Sequence, residues 1–112
     1  MSVEQIEAVE LSIEQAKKQI SLRDDLQKLI SNKQFKKVIL EGYFEKEASR
    51  LVLLKASPEM QEETSQKAID DSIIAIGQLR QHFITINQFG AMADRTMADD
   101  QETLDELRNE GL

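Results

Sequence analysis

The stretch VEQIEAVELSIEQAKKQI, from Val3 to Ile20, decides the fold class of this chain. Its apolar residues return every three or four positions, which is typical of the core-facing stripe of an amphipathic helix. This helical seam consists of Ile6, Val9, Ile13, Ala16 and Ile20. Ser2 and Gln5 have capping-box spacing, which predicts a helix start near residue 2. A helix over residues 1–31 needs a packing partner, because burial of its apolar face supplies most of its stability.

The apolar phase slips after Ile20, where the seam continues through different residues. These are Leu22, Leu26, Leu29 and Ile30. The sequence ISNKQ, residues 30–34, then predicts a break in the helix, with Asn32 placed to cap the next helical segment.

Residues 32–56, which we call the elbow, contain the sequence KKVILEGYFEKEASRLVLL. Phe35 is followed by apolar residues at helical spacing, and Gly42 is placed to end that helix at a sharp corner. Tyr43 and Phe44 then begin a second amphipathic run that includes Leu51. The alternative interpretation is a short strand at KVIL, residues 37–40, although the chain offers no second strand to pair with it.

Ser57 and Pro58 predict the start of a second long helix, over residues 58–96, because proline favours the first helical turn. Its apolar face is expected to contain Ala68, Ile69, Ile73, Ile76, Leu79, Phe83, Ile86 and Phe89. Gly77 inside this helix indicates the close approach of another helix, whereas Gly90 indicates a kink or a stop. A short acidic helix is expected over residues 99–110, anchored by Leu104 and Leu107. The prediction is an all-α, single-domain chain: two long helices, a helical elbow and a short terminal helix, forming a helical hairpin or bundle that partner chains complete.

Charge is distributed unevenly along the 112 residues, whose net charge is −7. Residues 1–56 carry ten basic and nine acidic side chains, whereas residues 57–112 carry four and twelve. Phosphate backbones repel such a chain, so nucleic acid is disfavoured as a partner. The acidic half has two interpretations, a solvated surface or a complement to a basic protein. No apolar run is long enough to span a bilayer, so no membrane association is expected.

Few chemistries are available to this composition. The chain has no cysteine and a single histidine, His82, so a typical zinc or haem site is not expected, and His82 is interpreted as a boundary residue. The acidic pairs Asp24–Asp25, Asp70–Asp71 and Asp99–Asp100 are adjacent on helices, so their side chains diverge. There is also no glycine-rich phosphate loop. We therefore expect no enzyme activity and no cofactor.

Two clusters remain as candidate contact sites. The basic patch consists of Lys28, Lys33, Lys36 and Lys37. It is either a solvated face balanced by nearby acids or a dock for an acidic partner. The second cluster, Phe35, Gly42, Tyr43, Phe44 and Leu51, is either a structural corner or an aromatic anchor for a partner.

The block FKKVILEGYFEKEASRLVLL, followed by a proline-led turn and DDSIIAIGQLRQHFITI, resembles short helical proteins of tailed bacteriophages. The resemblance covers residues 23–110, and its most specific part is the pattern EGYFxxEAxRLV from Glu41 to Val52. It implies a virion or head-assembly protein without catalysis, made in the host cytoplasm. Such a protein would form homo-oligomers and would bind head, portal or neck proteins through apolar seams. These seams include Ile73, Ile76 and Phe83. The first twenty residues have no counterpart in this resemblance. A different class of function is a small acidic inhibitor of a host protein, acting as a DNA mimic.

Overall fold

The computed structural model describes residues 3–110, which are almost entirely helical and contain no strand. Helix α1 spans Val3–Ile30. The elbow contains α2 (Lys33–Phe35), a π-helical segment (Lys36–Glu47) and α3 (Ala48–Lys55). A 3₁₀ turn at Pro58–Met60 precedes α4, Glu63–Glu110. The prediction of an all-α chain with two long helices and a helical elbow is confirmed, whereas the alternative strand at residues 37–40 is wrong. The predicted Ser2 cap lies outside the described residues.

Contacts divide the chain into two compact units, each described separately below. The paired-helix unit contains Met1–Leu26 and Thr85–Leu112, and the elbow unit contains Gln27–Ile84.

The paired-helix unit consists of the first part of α1 and the second part of α4, which run antiparallel. The bonds between the helices show the antiparallel direction, because residue numbers rise on α1 as they fall on α4. Glu10 pairs with Arg108, Ser12 with Asp100 and Arg23 with Asp94. Small side chains form much of the seam, since Ala16 and Ala93 are only 3% and 2% exposed. Ile13 and Leu104 are also buried, while Ile6, Val9 and Ile20 are half-buried. The seam face of α1 therefore points toward α4, as its periodicity indicates.

The prediction that the apolar seam continues after Ile20 through different residues is only partly correct. Leu26 is buried, but Leu22 is 53% exposed, and Arg23 occupies the half-buried position beside it. Gly90 makes room for this arrangement because its missing side chain admits the stem of Arg23. Gly90 is therefore the close-approach glycine and not a helix stop, whereas a Cβ at Gly77 would meet no atom within 4 Å.

The elbow begins at the predicted cap: the Phe35 amide donates to Asn32 Oδ1 at 2.9 Å. The predicted corner at Gly42 is wrong, because Gly42 lies inside the continuous π-helical segment with a negative φ. Half-buried side chains recur there at spacings of four and five residues, at Phe35, Ile39, Leu40, Tyr43, Phe44, Glu47 and Ala48. This spacing fits the wider turn of a π-helix, whose hydrogen bonds join residues five apart.

The turn after the elbow is stabilised by two glutamine side chains that sequence analysis does not single out. Gln66 Nε2 donates to the carbonyls of Lys55 and Met60 at 2.9 and 2.7 Å. Gln61 Nε2 donates to the carbonyls of Lys55 and Ser57 at 3.0 and 2.7 Å. Both glutamines thus satisfy the carbonyl of Lys55, which ends α3 without a helical partner, and each also bonds one carbonyl of the turn. Pro58 occupies the predicted first-turn position, although of a 3₁₀ turn, and α4 starts at Glu63.

Helix α4 continues without a break to Glu110, so the separate helix predicted over residues 99–110 is wrong. No proline interrupts the region, and burial of Leu104 against the seam stabilises its continuation. The predicted apolar face of α4 is partly correct. Ile69 and Ile76 are buried and Ile73, Leu79, Phe83 and Ile86 are half-buried, but Ala68 and Phe89 are exposed.

Candidate functional site

Aromatic side chains that are distant in sequence meet in the elbow unit. The Phe83 ring on α4 lies 5.9 Å from the Phe35 ring and 5.9 Å from the Phe44 ring. Tyr43 stacks against Phe44 at 6.1 Å, and the His82 ring lies 6.3 Å from Phe83. The tilted geometries are those that aromatic pairs favour. Phe83 therefore links the start and the middle of the elbow to α4.

Tyr43 and Phe44 also pack against the main core of this unit. That core consists of Leu51, Ile69 and Ile76, with Ala48, Leu54, Met60 and Ile73 packed around it. Both aromatic residues remain half-buried. Tyr43 and Phe44 thus pack onto Leu51 and α4 within the chain, but a π-helical turn positions them instead of a corner. Gly42 suits that turn, because a Cβ there would lie 3.0 Å from the Lys37 carbonyl oxygen.

The basic patch flanks the helix break, with Lys28 before it and Lys33, Lys36 and Lys37 after it. Lys28, Lys33, Lys36 and Lys37 are all exposed, and none forms an ion pair with a carboxylate in residues 3–110. Of the nearby acids, Asp24 bonds Arg23, whereas Asp25, Glu41 and Glu45 are exposed and form no ion pair within residues 3–110. The patch is therefore uncompensated by direct contacts in the described structure, which leaves its interpretation as an acidic-partner dock open.

Two grooves of the paired-helix unit have opposite character and lie on opposite flanks of its helix seam. The charged groove is lined by Glu10, Ile13, Glu14, Lys17, Gln101, Leu104, Asp105 and Arg108. The uncharged groove is lined by Ser12, Gln15, Ala16, Gln19, Phe89, Met92, Ala93 and Thr96. The whole unit carries thirteen acidic and five basic side chains, so a groove without any charged lining residue is unexpected there.

Large apolar side chains border the uncharged groove in positions open to solvent. Phe89 is 49% exposed and Met92 is 58% exposed. Leu22, which is 53% exposed, lies instead in a separate groove with Glu14, Lys17, Lys18 and Asp25. The elbow unit has a separate exposed apolar pair, Val52 and Leu53, at 57% and 74%.

One ion-pair cluster connects the two helices of the paired-helix unit. Arg23 donates to both carboxylate oxygens of Asp94, at 2.6 and 3.3 Å, and to Asp24 at 3.0 Å. The hydrogen bond from Arg23 lowers the pKa of Asp94, and the bonds to Asp94 and Asp24 raise the pKa of Arg23. Hydrogen bonding to Asp71 likewise raises the pKa of Lys67 in the elbow unit.

The histidine and the paired aspartates, considered in the sequence as possible metal or catalytic groups, do not come together in the structure. His82 is exposed, and within residues 3–110 no three His, Asp or Glu side chains are placed to hold a metal ion. Asp70 and Asp71 diverge as expected, since Asp70 bonds Lys55 and Asp71 bonds Lys67. No helix in the described part of the chain is long and apolar enough to cross a membrane.

Comparison with known proteins returned no match to a protein family, to a curated protein or to a solved structure.

Proposed function

We propose that this chain is a non-catalytic structural or assembly protein of a tailed-bacteriophage particle. It acts in several copies and binds head, portal or neck proteins through apolar helical faces. It is made in the host cytoplasm and is carried in the virion. The resemblance of residues 41–52 to small phage proteins supports the phage assignment, and the exposed apolar surface supports the binding role.

The observation that carries the binding role is the number of large apolar side chains open to solvent. Ten described residues are between 44% and 74% exposed: Val3, Leu11, Leu22, Leu29, Val38, Val52, Leu53, Ile74, Phe89 and Met92. Clustered exposed apolar side chains mark interaction sites on soluble proteins. The adjacent pair Val52 and Leu53 lies on α3, next to the aromatic packing of the elbow. We assign this pair, defined as the elbow contact, to a head, portal or neck protein.

Quantitative mass spectrometry of purified virions tests this function. The expected result is a fixed ratio of this chain to the portal or coat subunit. Complementation with a Val52→Asp/Leu53→Asp chain should give virions that lack the protein. Circular dichroism of the purified variant should show that it remains helical. Ser49→Asp, which adds a charge at another exposed position of α3, should be incorporated normally. Absence of the wild-type chain from virions would overturn the proposal.

The alternative, an acidic inhibitor that mimics DNA, has less support. A DNA mimic presents free carboxylates along one face, but Asp94, Asp100, Asp70 and Asp71 all bond to side chains of the same protein. The two functions differ in salt dependence. Binding by a mimic weakens steeply as salt rises, whereas binding through apolar faces changes little.

A further inference from the structure

We propose that the uncharged groove of the paired-helix unit is a self-association face. Its occupant is the same face of a second copy of this chain. Two such units related by a two-fold axis would bring four helical segments around a shared apolar core, which is a common packing of helices. This inference concerns the purified chain alone, so it stands or falls independently of the proposed role in the virion.

The first argument is electrostatic. The paired-helix unit carries eight more acidic than basic side chains, so two copies repel each other over most of their surfaces. The eight lining residues of the uncharged groove contribute no charge. Contact through this face therefore avoids direct like-charge pairs, which cost several kcal/mol in an interface. A partner chosen by opposite charge would instead be attracted to the acidic surfaces of the unit.

The second argument is that the polar groups of the groove complement themselves. Gln15 and Gln19 have side-chain amides that both donate and accept hydrogen bonds, and Ser12 and Thr96 have hydroxyls that do the same. Ser12 already donates to Asp100 at 2.5 Å, so its hydroxyl remains available as an acceptor. Two copies can thus pair amide with amide and need no group of a different kind.

The third argument concerns the apolar area. The seam of this unit is narrow because Ala16, Ala93 and Gly90 bring the helices close together, so few large side chains are buried between them. Phe89 and Met92 remain about half exposed on the flank of the groove. A second copy placed on this flank would cover them with their own counterparts. Methionine adapts well to such contacts because its side chain is unbranched and flexible.

Sedimentation velocity of the purified chain, from about 1 μM to about 1 mM, measures the association. The wild-type chain should shift from monomer to dimer in this range. Gln19→Glu preserves side-chain size but places one added negative charge per copy in the interface, so the Kd of the dimer should rise about tenfold or more. Gln101→Glu is the matched control: it adds the same charge in the charged groove and should leave the dimer Kd within about twofold of the wild type.

The chain contains no cysteine, which allows an independent positional test. Single variants Gln19→Cys and Gln101→Cys can be oxidised and compared by non-reducing electrophoresis. We expect disulfide-linked dimers to form faster from Gln19→Cys. A wild-type chain that stays monomeric at the highest concentration overturns the inference, as does equal dimerisation of the two glutamate variants or equal crosslinking of the two cysteine variants.

Discussion

Gly90 on α4 lies directly against the side chain of Arg23 on α1. A Cβ at residue 90 would fall 2.4 Å from the Cβ of Arg23 and 2.6 Å from its Cγ, closer than carbon atoms approach in proteins. The Arg23 stem cannot move away cheaply, because its Cβ is fixed to the backbone and its guanidinium is bonded to Asp94. The absence of a side chain at residue 90 thus sets how closely the two helices pack.

Gly90→Ala should therefore destabilise the protein even though alanine is the better helix former. Overpacking costs about 1–3 kcal/mol, which outweighs the gain of about 1 kcal/mol in helix propensity. Gly77→Ala is the matched control: a Cβ there meets open space, so the free energy of unfolding should rise by about 1 kcal/mol. Urea unfolding followed by circular dichroism measures both. A Gly90→Ala chain as stable as Gly77→Ala would show that the contact with Arg23 relaxes without cost.

The bond between Arg23 and Asp94 predicts a loss of stability in acid. Arg23 lowers the folded-state pKa of Asp94 below the unfolded value of about 3.9, so the unfolded chain binds more protons in this range. The stabilisation by Asp94 is complete above about pH 4 and is lost as pH falls through the lowered folded-state pKa. The Tm of Asp94→Asn should lie below that of the wild type at pH 7, and the two should converge as pH falls below the lowered folded-state pKa of Asp94.

Asp99→Asn is the control for this experiment, because Asp99 is exposed and has no ion pair within the described residues. It removes the same charge and should leave the acid profile close to that of the wild type. A constant Tm difference between the wild type and Asp94→Asn at every pH would show that the carboxylate charge does not carry the stabilisation.

Periodicity was sufficient to predict the helical seam of α1, because Ile13 and Ala16 stand in a regular pattern of three and four. It was not sufficient for Gly77 and Gly90, whose roles depend on which side chain crosses each glycine, and that information lies on another helix. The π-helical elbow was missed for a related reason. Its half-buried side chains recur at spacings of four and five, as at Phe35, Ile39 and Phe44, which is easily taken for α-helical spacing with a break at Gly42.

The candidate interaction face was harder to predict. Seam analysis follows the apolar residues of one helix, whereas the uncharged groove combines polar residues of α1 with Phe89 and Met92 of α4. The distinguishing property is the absence of charge over two antiparallel segments, and it is recognised only when their register is known. Met92 is 58% exposed beside this groove, although methionine at helical spacing is typical of a packed core.

Phe83 should be the aromatic residue on which the elbow unit depends most. Phe83→Ala removes both ring contacts at 5.9 Å and leaves a cavity beside half-buried side chains, so we expect the free energy of unfolding to fall by about 2–3 kcal/mol. Leu53→Ala, at a position 74% exposed, should change it by less than about 0.5 kcal/mol. Chemical denaturation of the two variants makes the comparison. Equal effects would mean that the aromatic contacts contribute little to the unit.

Asn32 should stabilise the break between α1 and the elbow through its side chain alone. Its Oδ1 accepts the Phe35 amide at 2.9 Å, and the Ser31 hydroxyl donates to the Gln27 carbonyl at 2.8 Å on the other side of the break. Asn32→Ala should lower the free energy of unfolding by about 1 kcal/mol because the amide loses its partner. Asn32→Asp keeps an acceptor at the same place, near the positive end of the helix dipole, and should restore most of the loss. Denaturant unfolding measures the stability of both variants. If the aspartate variant is as unstable as the alanine variant, then the packing of Asn32, and not its hydrogen bond, maintains the break.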